Sequence, residues 1–342
     1  MDMVHARHVD CLDLESLPTG QISRLQVEVG EDALGRSLAL PVLIARGERP
    51  GPVFGLTAAV HGNELNGIPV ILRLFEQLNP RNLRGTLVAV VVVNLPGFLR
   101  RQRNFSDGRD LNHLWPGRRV GHPAQVFAHR VMDRVIRRLD YLCDLHTASR
   151  GRVNSLYVRA DMTHHRTAAM AYLQRPQIIL HNPASDGTLR GAASALGIPA
   201  ITLEIGNPQR IQVDYVRQSI QGIRAMLGQV GMLSRRKPAD GPAPVLCDAS
   251  KWLHTDRGGL LQVVPKLTDR ISKGEAVATL TSIYGDLLAT YSAPTAGIVI
   301  GRSVDPAAET GARILHMGRL AVPGGVQFVD RGAAYEAWES AT

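Results

Sequence analysis

The segment VFGLTAAVHGNE, residues 53–64, joins an apolar run to a group of polar side chains. Its first eight residues are almost all apolar, which is typical of a strand buried on both faces. The next residues, 66–77, carry apolar side chains at helical spacing. A buried strand that passes through a short polar turn into a helix is the repeating unit of an α/β domain with a mainly parallel sheet.

The same alternation continues on both sides of this segment. Residues 21–46 alternate apolar and polar, which predicts a hairpin that enters the fold, and ERPGP at 48–52 predicts a turn. Further buried strands are expected at 87–93, 141–145 and 199–204, and helices at 124–139, 163–173, 189–196 and 213–227. We therefore predict a mainly parallel, mixed sheet flanked by helices.

A second texture follows the polar, Pro-rich segment SRRKPADGPAP, residues 234–244, which has the composition of a linker. Residues 251–325 consist of short alternating segments broken by Gly and Pro. This pattern predicts a small all-β domain at the C-terminus. We accordingly divide the 342 residues into an α/β domain, 1–240, and a small β-rich domain, 241–342.

The chain is basic, with a net charge of +9 and a pI of about 9.9. All but four of its 39 basic residues are Arg, a skew that an Arg-rich coding bias produces without any binding purpose. No basic run is interleaved with aromatic residues, so we expect no nucleic-acid partner. A positive field that attracts an anionic substrate is the better explanation.

The three cysteines, Cys11, Cys143 and Cys247, lie far apart and form no CxxC motif, which argues against a zinc ribbon or a disulfide scaffold. The longest purely apolar run, 87–93, is far shorter than the ~20 residues that a membrane helix needs. The first residues carry acids and lack the apolar region of a signal peptide. We expect a cytoplasmic protein without membrane contact.

His61 and Glu64 follow the strand at 53–60 directly. The carboxyl end of a strand is where ligands bind in open α/β sheets, and two such side chains three residues apart can reach one ion. Imidazole nitrogen and carboxylate oxygen together suit Zn²⁺. Taken alone, the pair is more often a helix start at Glu64 beside a solvated His61 than a metal site.

His146 directly follows the strand predicted at 141–145, and Asp144 stands two residues before it. A second histidine at a strand end completes the His₂Glu ligand set of hydrolytic zinc sites, which leaves a position for water. Asp144 could then orient a metal ligand by a hydrogen bond without binding the ion itself. Two strand ends with the same ligand chemistry favour a metal site over two unrelated polar caps.

Glu204 ends the strand predicted at 199–204, among apolar neighbours. A carboxylate inside an apolar strand is costly to bury unless it is paired. Beside Zn²⁺ it could act first as general base and then as general acid. The alternative, a Glu on an exposed edge strand, is disfavoured by Ile198, Ile201 and Ile205.

The irregular stretch at 94–117 is rich in hydrogen-bond donors. Such a loop beside a metal suits the binding of a carboxylate and the stabilisation of an oxyanion, although a solvated basic loop has the same composition. The donors are Arg103, Arg109, Asn112 and His113.

These motifs, in this order, resemble the succinylglutamate desuccinylase/aspartoacylase family, a branch of the zinc carboxypeptidase-like superfamily. The resemblance covers about residues 50–325, and diaminobutyrate deacetylases are among the relatives. It rests on the segments His61–Glu64, Asn94–Gly117, Asp144–Ala148 and the strand around Glu204.

The resemblance implies a role for each matching residue. His61, Glu64 and His146 correspond to the ligands of one zinc ion per chain, and Glu204 to the general base. Arg103 corresponds to the arginine that polarises the scissile carbonyl. Asn112 and Arg190, the latter within 186–190, correspond to residues that bind substrate.

One position departs from the family pattern, because Asp-Leu-Asn-Arg is replaced here by Asp110-Leu111-Asn112-His113. A permanent guanidinium fork becomes an imidazole that is charged only part of the time near pH 7. The substrate carboxylate then lies elsewhere, is blocked as an amide or ester, or pairs with Arg109 or Arg190.

The sequence thus predicts a zinc-dependent amidohydrolase that cleaves a small N-acyl amino acid or a related amide. A zinc carboxypeptidase that trims a peptide-like conjugate is the alternative enzyme. A binding protein that keeps the fold without turnover is the alternative from another class. We expect a homo-oligomer.

Overall fold

The predicted alternation of strands and helices occupies the first two thirds of the chain. The structure, a computed structural model, describes residues 6–184, 187–235, 242–322 and 324–339. The elements up to the second predicted histidine motif are β1 (Arg7–Val9), β2 (Gln21–Glu31), β3 (Ser37–Arg46), β4 (Arg49–Ala58), α1 (Gly67–Glu76), β5 (Arg84–Val90), α2 (Leu95–Leu99), α3 (Pro123–Arg134) and β6 (Tyr141–His146).

The next elements complete the α/β part, and the last ones are mostly short strands. The former are β7 (Arg152–Asn154), β8 (Leu156–Ala160), α4 (His165–Gln174), β9 (Ile178–His181), α5 (Leu189–Ala195), β10 (Ala200–Ile205) and α6 (Val213–Gln229). The latter are β11 (Val245–His254), β12 (Gly259–Val263), β13 (Arg270–Ile271), β14 (Ala276–Thr281), β15 (Leu287–Ser292), β16 (Gly297–Ser303), β17 (Ala307–Ala308), β18 (Arg313–Leu320) and α7 (Arg331–Glu339).

One mixed sheet runs through the α/β part. In the described residues its order is β1-β2-β3-β5-β4-β6-β10-β8-β9-β11-β18-β16-β13. The central strands β4, β6 and β10 are parallel neighbours, whereas β8 is antiparallel to β10. One core cluster contains apolar residues of α1, α4 and α6, and a second contains those of α3 and α5. Successive residues of β6 alternate between the clusters, since Tyr141, Cys143 and Leu145 belong to the first and Leu142 to the second. Helices therefore cover both faces of the sheet, and the predicted fold class is confirmed.

The C-terminal strands extend this sheet and add a second one. β11 pairs in parallel with β9, and β7 pairs with β16. Four other strands form a separate sheet in the order β15-β14-β12-β17, with an apolar cluster of their own. The predicted boundary at 240/241 and most of the predicted linker lie outside the described residues, so the division into two domains stays a prediction.

The turn predicted at 48–52 lies earlier than predicted, because the chain reverses between the end of β3 at Arg46 and the start of β4 at Arg49. The Gly and Pro residues there mark a register shift between Arg49 and Val53 rather than a reversal. A Cβ atom on Gly51 would lie 2.7 Å from the backbone nitrogen of Gly85, so only glycine allows the two strands to approach this closely. The short strands β7, β8 and β9 were not predicted, since their few residues offer no clear period.

The turn after β4 is held against the loop that follows β5. The Gly62 amide donates to the Arg103 carbonyl at 3.4 Å. A Cβ atom on Gly62 would lie 2.0 Å from the carbonyl carbon of Gly97 and 2.1 Å from the nitrogen of Phe98. The absence of a side chain at Gly62 is therefore a condition for this contact.

We expect Gly62→Ala to destabilise the protein by about 1–3 kcal/mol, the usual cost of overpacking, because both neighbours are backbone and cannot yield. Gly228→Ala is the matched control, since it lies in α6 and its added Cβ meets nothing closer than 3.4 Å. The control should be neutral or slightly stabilising. Thermal unfolding of both variants checks this, and equal midpoints would refute the packing argument.

Candidate metal centre

Two histidines and one glutamate converge at the carboxyl ends of β4 and β6. His61 and Glu64 lie in the turn after β4, and His146 is the last residue of β6. Nδ1 of His61 lies 2.9 Å from Oε1 of Glu64, and Nδ1 of His146 lies 3.0 Å from Oε2. All three side chains are buried, and their ligand atoms lie within 4.8 Å of one another. Together they could hold one metal ion.

Each histidine is oriented by a carboxylate behind it. Nε2 of His61 lies 3.1 Å from Oδ1 of Asp110, and Nε2 of His146 lies 2.8 Å from Oδ2 of Asp144. A carboxylate only accepts, so Asp110 and Asp144 can each take the Nε2 proton of a ring whose Nδ1 binds an ion. This donor set fits a metal ion.

The carboxylate of Glu64 is fixed by three further donors. The Thr147 amide donates to Oε2 at 3.1 Å, and the Ser149 hydroxyl donates to Oε1 at 3.2 Å. Nη1 of Arg103 donates to Oε1 at 2.9 Å. Thr147 and Ser149, in the loop that follows β6, therefore hold the carboxylate of Glu64, and Ser149 also contacts Arg103.

Charge pairing governs protonation in the centre. Burial raises the pKa of Glu64, but His61 and His146 outweigh burial and hold this pKa well below its usual range. Burial lowers the pKa of His146, but Asp144 and Glu64 outweigh it, so this pKa is raised well above its usual value. Without an ion, a proton is therefore retained at His146.

Arg103 is placed beside the ligands by Asp110. Its Nε and Nη2 donate to Oδ2 of Asp110 at 3.0 and 2.9 Å, and its Nη1 also contacts Ser149. Burial raises the pKa of Asp110, but His61, Arg103 and the Asn112 amide outweigh this and lower it. Asp110 thus links the guanidinium to one histidine ligand.

Glu204 stands next to His146, because β10 pairs in parallel with β6 and the two residues are register partners. It is 9% exposed. Nδ2 of Asn154 lies 3.4 Å from its Oε2, and Nε of Arg159 lies 3.4 Å from its Oε1. The carboxylate is thus restrained on both oxygens, and its side chain is 12% exposed.

The predicted substrate residues are distributed unevenly. Oδ1 of Asn112 accepts from the Leu189 amide at 2.9 Å, and buried Arg190 donates to the carbonyl and side chain of Asn182. The side chains of Arg109 and His113 are 56% and 74% exposed. Among the described residues, the ion-pair partner of His113 is Asp110, at 3.8 Å, and that of Arg109 is Asp107. Residue 186, at the start of the Arg190 motif, lies outside the described residues.

Four residues of the centre were not predicted: Asp110, Ser149, Asn154 and Arg159. Arg159 offered a signal, since it is the one charge in the buried strand LYVRA, residues 156–160. Asp110 stands two residues before Asn112 in a motif that was already singled out. Ser149 and Asn154 lie in a polar stretch, where sequence alone distinguishes no residue.

A family model described as the succinylglutamate desuccinylase/aspartoacylase catalytic domain matches residues 50–230, more than half of the chain. The chain belongs to this family. The family recognised from the motifs is thereby confirmed. So is the prediction of an enzyme, because the curated relatives are hydrolases of amide bonds.

Individual members of the succinylglutamate desuccinylase/aspartoacylase family are distant in sequence. The N-alpha-acetyl-L-2,4-diaminobutyric acid deacetylase of Halomonas elongata is 24% identical over 75% of this chain and 77% of its own length. A succinylglutamate desuccinylase of Pseudomonas paraeruginosa is 30% identical over 44% of this chain and 49% of its own.

Solved structures of the family share the fold. A succinylglutamate desuccinylase/aspartoacylase from Rhodobacter sphaeroides superposes with a TM-score of 0.81, covering 91% of this chain and 98% of that one, at 19% identity. No helix among the described residues is both long and apolar enough to cross a membrane.

We expect protein loaded with Zn²⁺ to retain about one ion per chain and His146→Ala to retain much less, since the variant loses one of three ligands. His165→Ala is the control, because His165 is exposed at the start of α4. Elemental analysis after desalting measures the ion. Full retention by His146→Ala would remove this residue from the ligand set.

Metal affinity should rise with pH above pH 6.5. The metal-free site keeps a proton on His146 because its pKa is raised, and a metal ligand must be neutral, so the ion displaces this proton. The gain is up to about tenfold per pH unit until the raised pKa is passed. Competition with a chelator between pH 6 and 8 measures this gain. An affinity independent of pH would contradict the charge pairing.

Proposed function

We propose that this chain is a zinc-dependent amidohydrolase that removes the acyl group from a small N-acyl amino acid or a related amide. One observation carries the proposal: Glu204 is the register partner of His146, beside the convergent His61, Glu64 and His146. The relatives' names add support, since a deacetylase and a desuccinylase each detach an acyl group.

Zinc is the metal that this ligand set favours. Two imidazole nitrogens and one carboxylate oxygen match the His₂Glu sites of zinc hydrolases, which keep a further position open. When bound, Zn²⁺ supplies a Lewis acid that lowers the pKa of water and polarises a carbonyl. The carboxylates of Asp110 and Asp144 keep the two rings oriented for it.

Glu204 is assigned the proton transfers. Its carboxylate takes a proton from the attacking water as general base and returns it to the nitrogen of the leaving amine as general acid. Asn154 and Arg159 hold it at 3.4 Å each, which restricts its rotation. The acyl C–N bond breaks as the amine gains this proton.

Arg103 is assigned the stabilisation of the oxyanion. Its guanidinium is fixed by Asp110 and Glu64, so its position needs no adjustment as negative charge develops on the acyl oxygen. Asn112 and Arg190 are assigned to substrate binding through the family resemblance, and Asn112 accepts from the Leu189 amide at the start of α5, which carries Arg190.

The direct test is incubation of zinc-loaded protein with pooled acetyl and succinyl amino acids. Mass spectrometry should detect the free amine. Release of residues from peptides instead would support the carboxypeptidase, and binding without any release would support a non-catalytic protein.

Glu204→Gln should fold and retain zinc but lose about 10²–10⁴-fold in turnover, since an amide cannot accept the water proton. Glu76→Gln is the control, because Glu76 is exposed on α1. Metal content and amine release are measured on both variants. An active, zinc-loaded Glu204→Gln would assign the base to another group.

A further inference from the structure

Two arginines from different parts of the chain face the same indole ring. Arg152 belongs to β7 and Arg313 to β18, and Trp252 lies on β11, which pairs with β18. The guanidinium carbons lie 5.6 and 5.1 Å from the ring centroid. We refer to Arg152 and Arg313 as the arginine pair.

The arginine pair lies beside the catalytic centre. β7 follows the His146–Ser149 loop, and its last residue, Asn154, contacts Glu204 at 3.4 Å. Burial lowers the pKa of Arg152, the charges of Arg313 and Arg103 lower it further, and Glu64 and Glu204 act in the opposite direction. The carboxylates of Glu64 and Glu204 are therefore within electrostatic range of Arg152.

Neither guanidinium of the pair has a hydrogen bond or an ion pair with any residue that the structure describes. Three other arginines, Arg103, Arg159 and Arg190, are engaged. Their partners are Asp110 and Glu64 for Arg103, Tyr157 and Glu204 for Arg159, and Asn182 for Arg190. Two like charges held together without an anion repel each other, and a bound anion removes this repulsion.

The Trp252 ring that the pair faces is held in place by His316, which adds no positive charge. His316 stacks on Trp252 with centroids 4.8 Å apart and planes 7° apart, and Nε2 of His316 is hydrogen bonded to the Ser250 hydroxyl at 2.8 Å. Burial, together with nearby arginines, keeps the pKa of His316 well below its usual value. Stacking on a fixed ring restricts a guanidinium in a way that suits planar carboxylate recognition.

We propose that Arg152 and Arg313 bind the carboxylate of the substrate, in the role that His113 leaves open. The proposal rests on the proposed deacylase function. Arg109 and His113 each lie 3.8 Å from an aspartate, and Arg190 donates to Asn182, whereas the arginine pair has no such partner among the described residues. A carboxylate on the amine half or on the acyl half of the substrate has the same chemistry.

Equilibrium binding to Glu204→Gln protein tests this without requiring turnover. The probes are N-acetyl-alanine, with a carboxylate on the amine half, N-succinyl-alaninamide, with one on the acyl half, and N-acetyl-alaninamide, with none. Calorimetry compares the Glu204→Gln background with the same protein carrying Arg152→Gln or Arg313→Gln. Arg257→Gln is the control, on an exposed turn of the smaller sheet, and His113→Gln tests the rival position.

One carboxylate probe should bind at least tenfold more tightly than the neutral probe. Each arginine variant should weaken that probe about tenfold, leave the neutral probe unchanged, and make binding less dependent on salt. Which acid binds better identifies the half that bears the carboxylate. Arg313, the exposed first residue of β18, provides the test if Arg152→Gln does not fold.

Equal binding of charged and neutral probes, or no binding, would overturn the proposal, as would a loss confined to His113→Gln. Failure of the deacylase function would appear separately, as wild-type protein that binds the probes through the arginine pair and releases no amine.

Discussion

Two carboxylate–imidazole pairs are the interactions on which the centre depends. Asp144 holds His146 and Asp110 holds His61, so both rings direct Nδ1 to the same point. Buried ionisable groups are stable only when they are paired, and each pair here is completed by Glu64. Removing either aspartate would free a ring to rotate and leave a buried charge without its partner.

The sheet makes these pairs possible. Thr57, Asp144 and Thr202 are register partners across β4, β6 and β10, and the Thr57 hydroxyl donates to Asp144 at 2.6 Å. Because the three strands are parallel, their carboxyl ends meet at one edge. The same register that buries their apolar residues therefore aligns the second histidine with the glutamate assigned as base.

The C-terminal strands contribute to the centre as well as to the fold. β7 pairs with β16, and its neighbour β8 with β10, so the segment that carries Asn154 and Arg159 is fixed from both sides. Trp252, His316 and Arg313 reach this region on β11 and β18. A substrate half that extends away from the metal ligands would meet residues of this later part of the chain.

The local order of the chain was enough to single out His61, Glu64, His146 and Glu204 as candidates, since each follows or ends an apolar strand. Strand direction follows from that same pattern, because strands that alternate with helices run parallel. The turn predicted at 48–52 was displaced for the opposite reason: a close approach between Gly51 and Gly85 depends on a partner strand that is distant in sequence.

Contacts between distant segments decided the rest. Asp110 becomes a partner of His61 across 49 positions, and Arg103 one of Glu64 across 39. Arg152 meets Trp252 only because β7 pairs with β16, which pairs with β18 beside β11. Hydrophobic periodicity indicates which face of an element is buried. Which charged side chains meet depends instead on which strands are neighbours, and that is decided by the packing of the whole sheet.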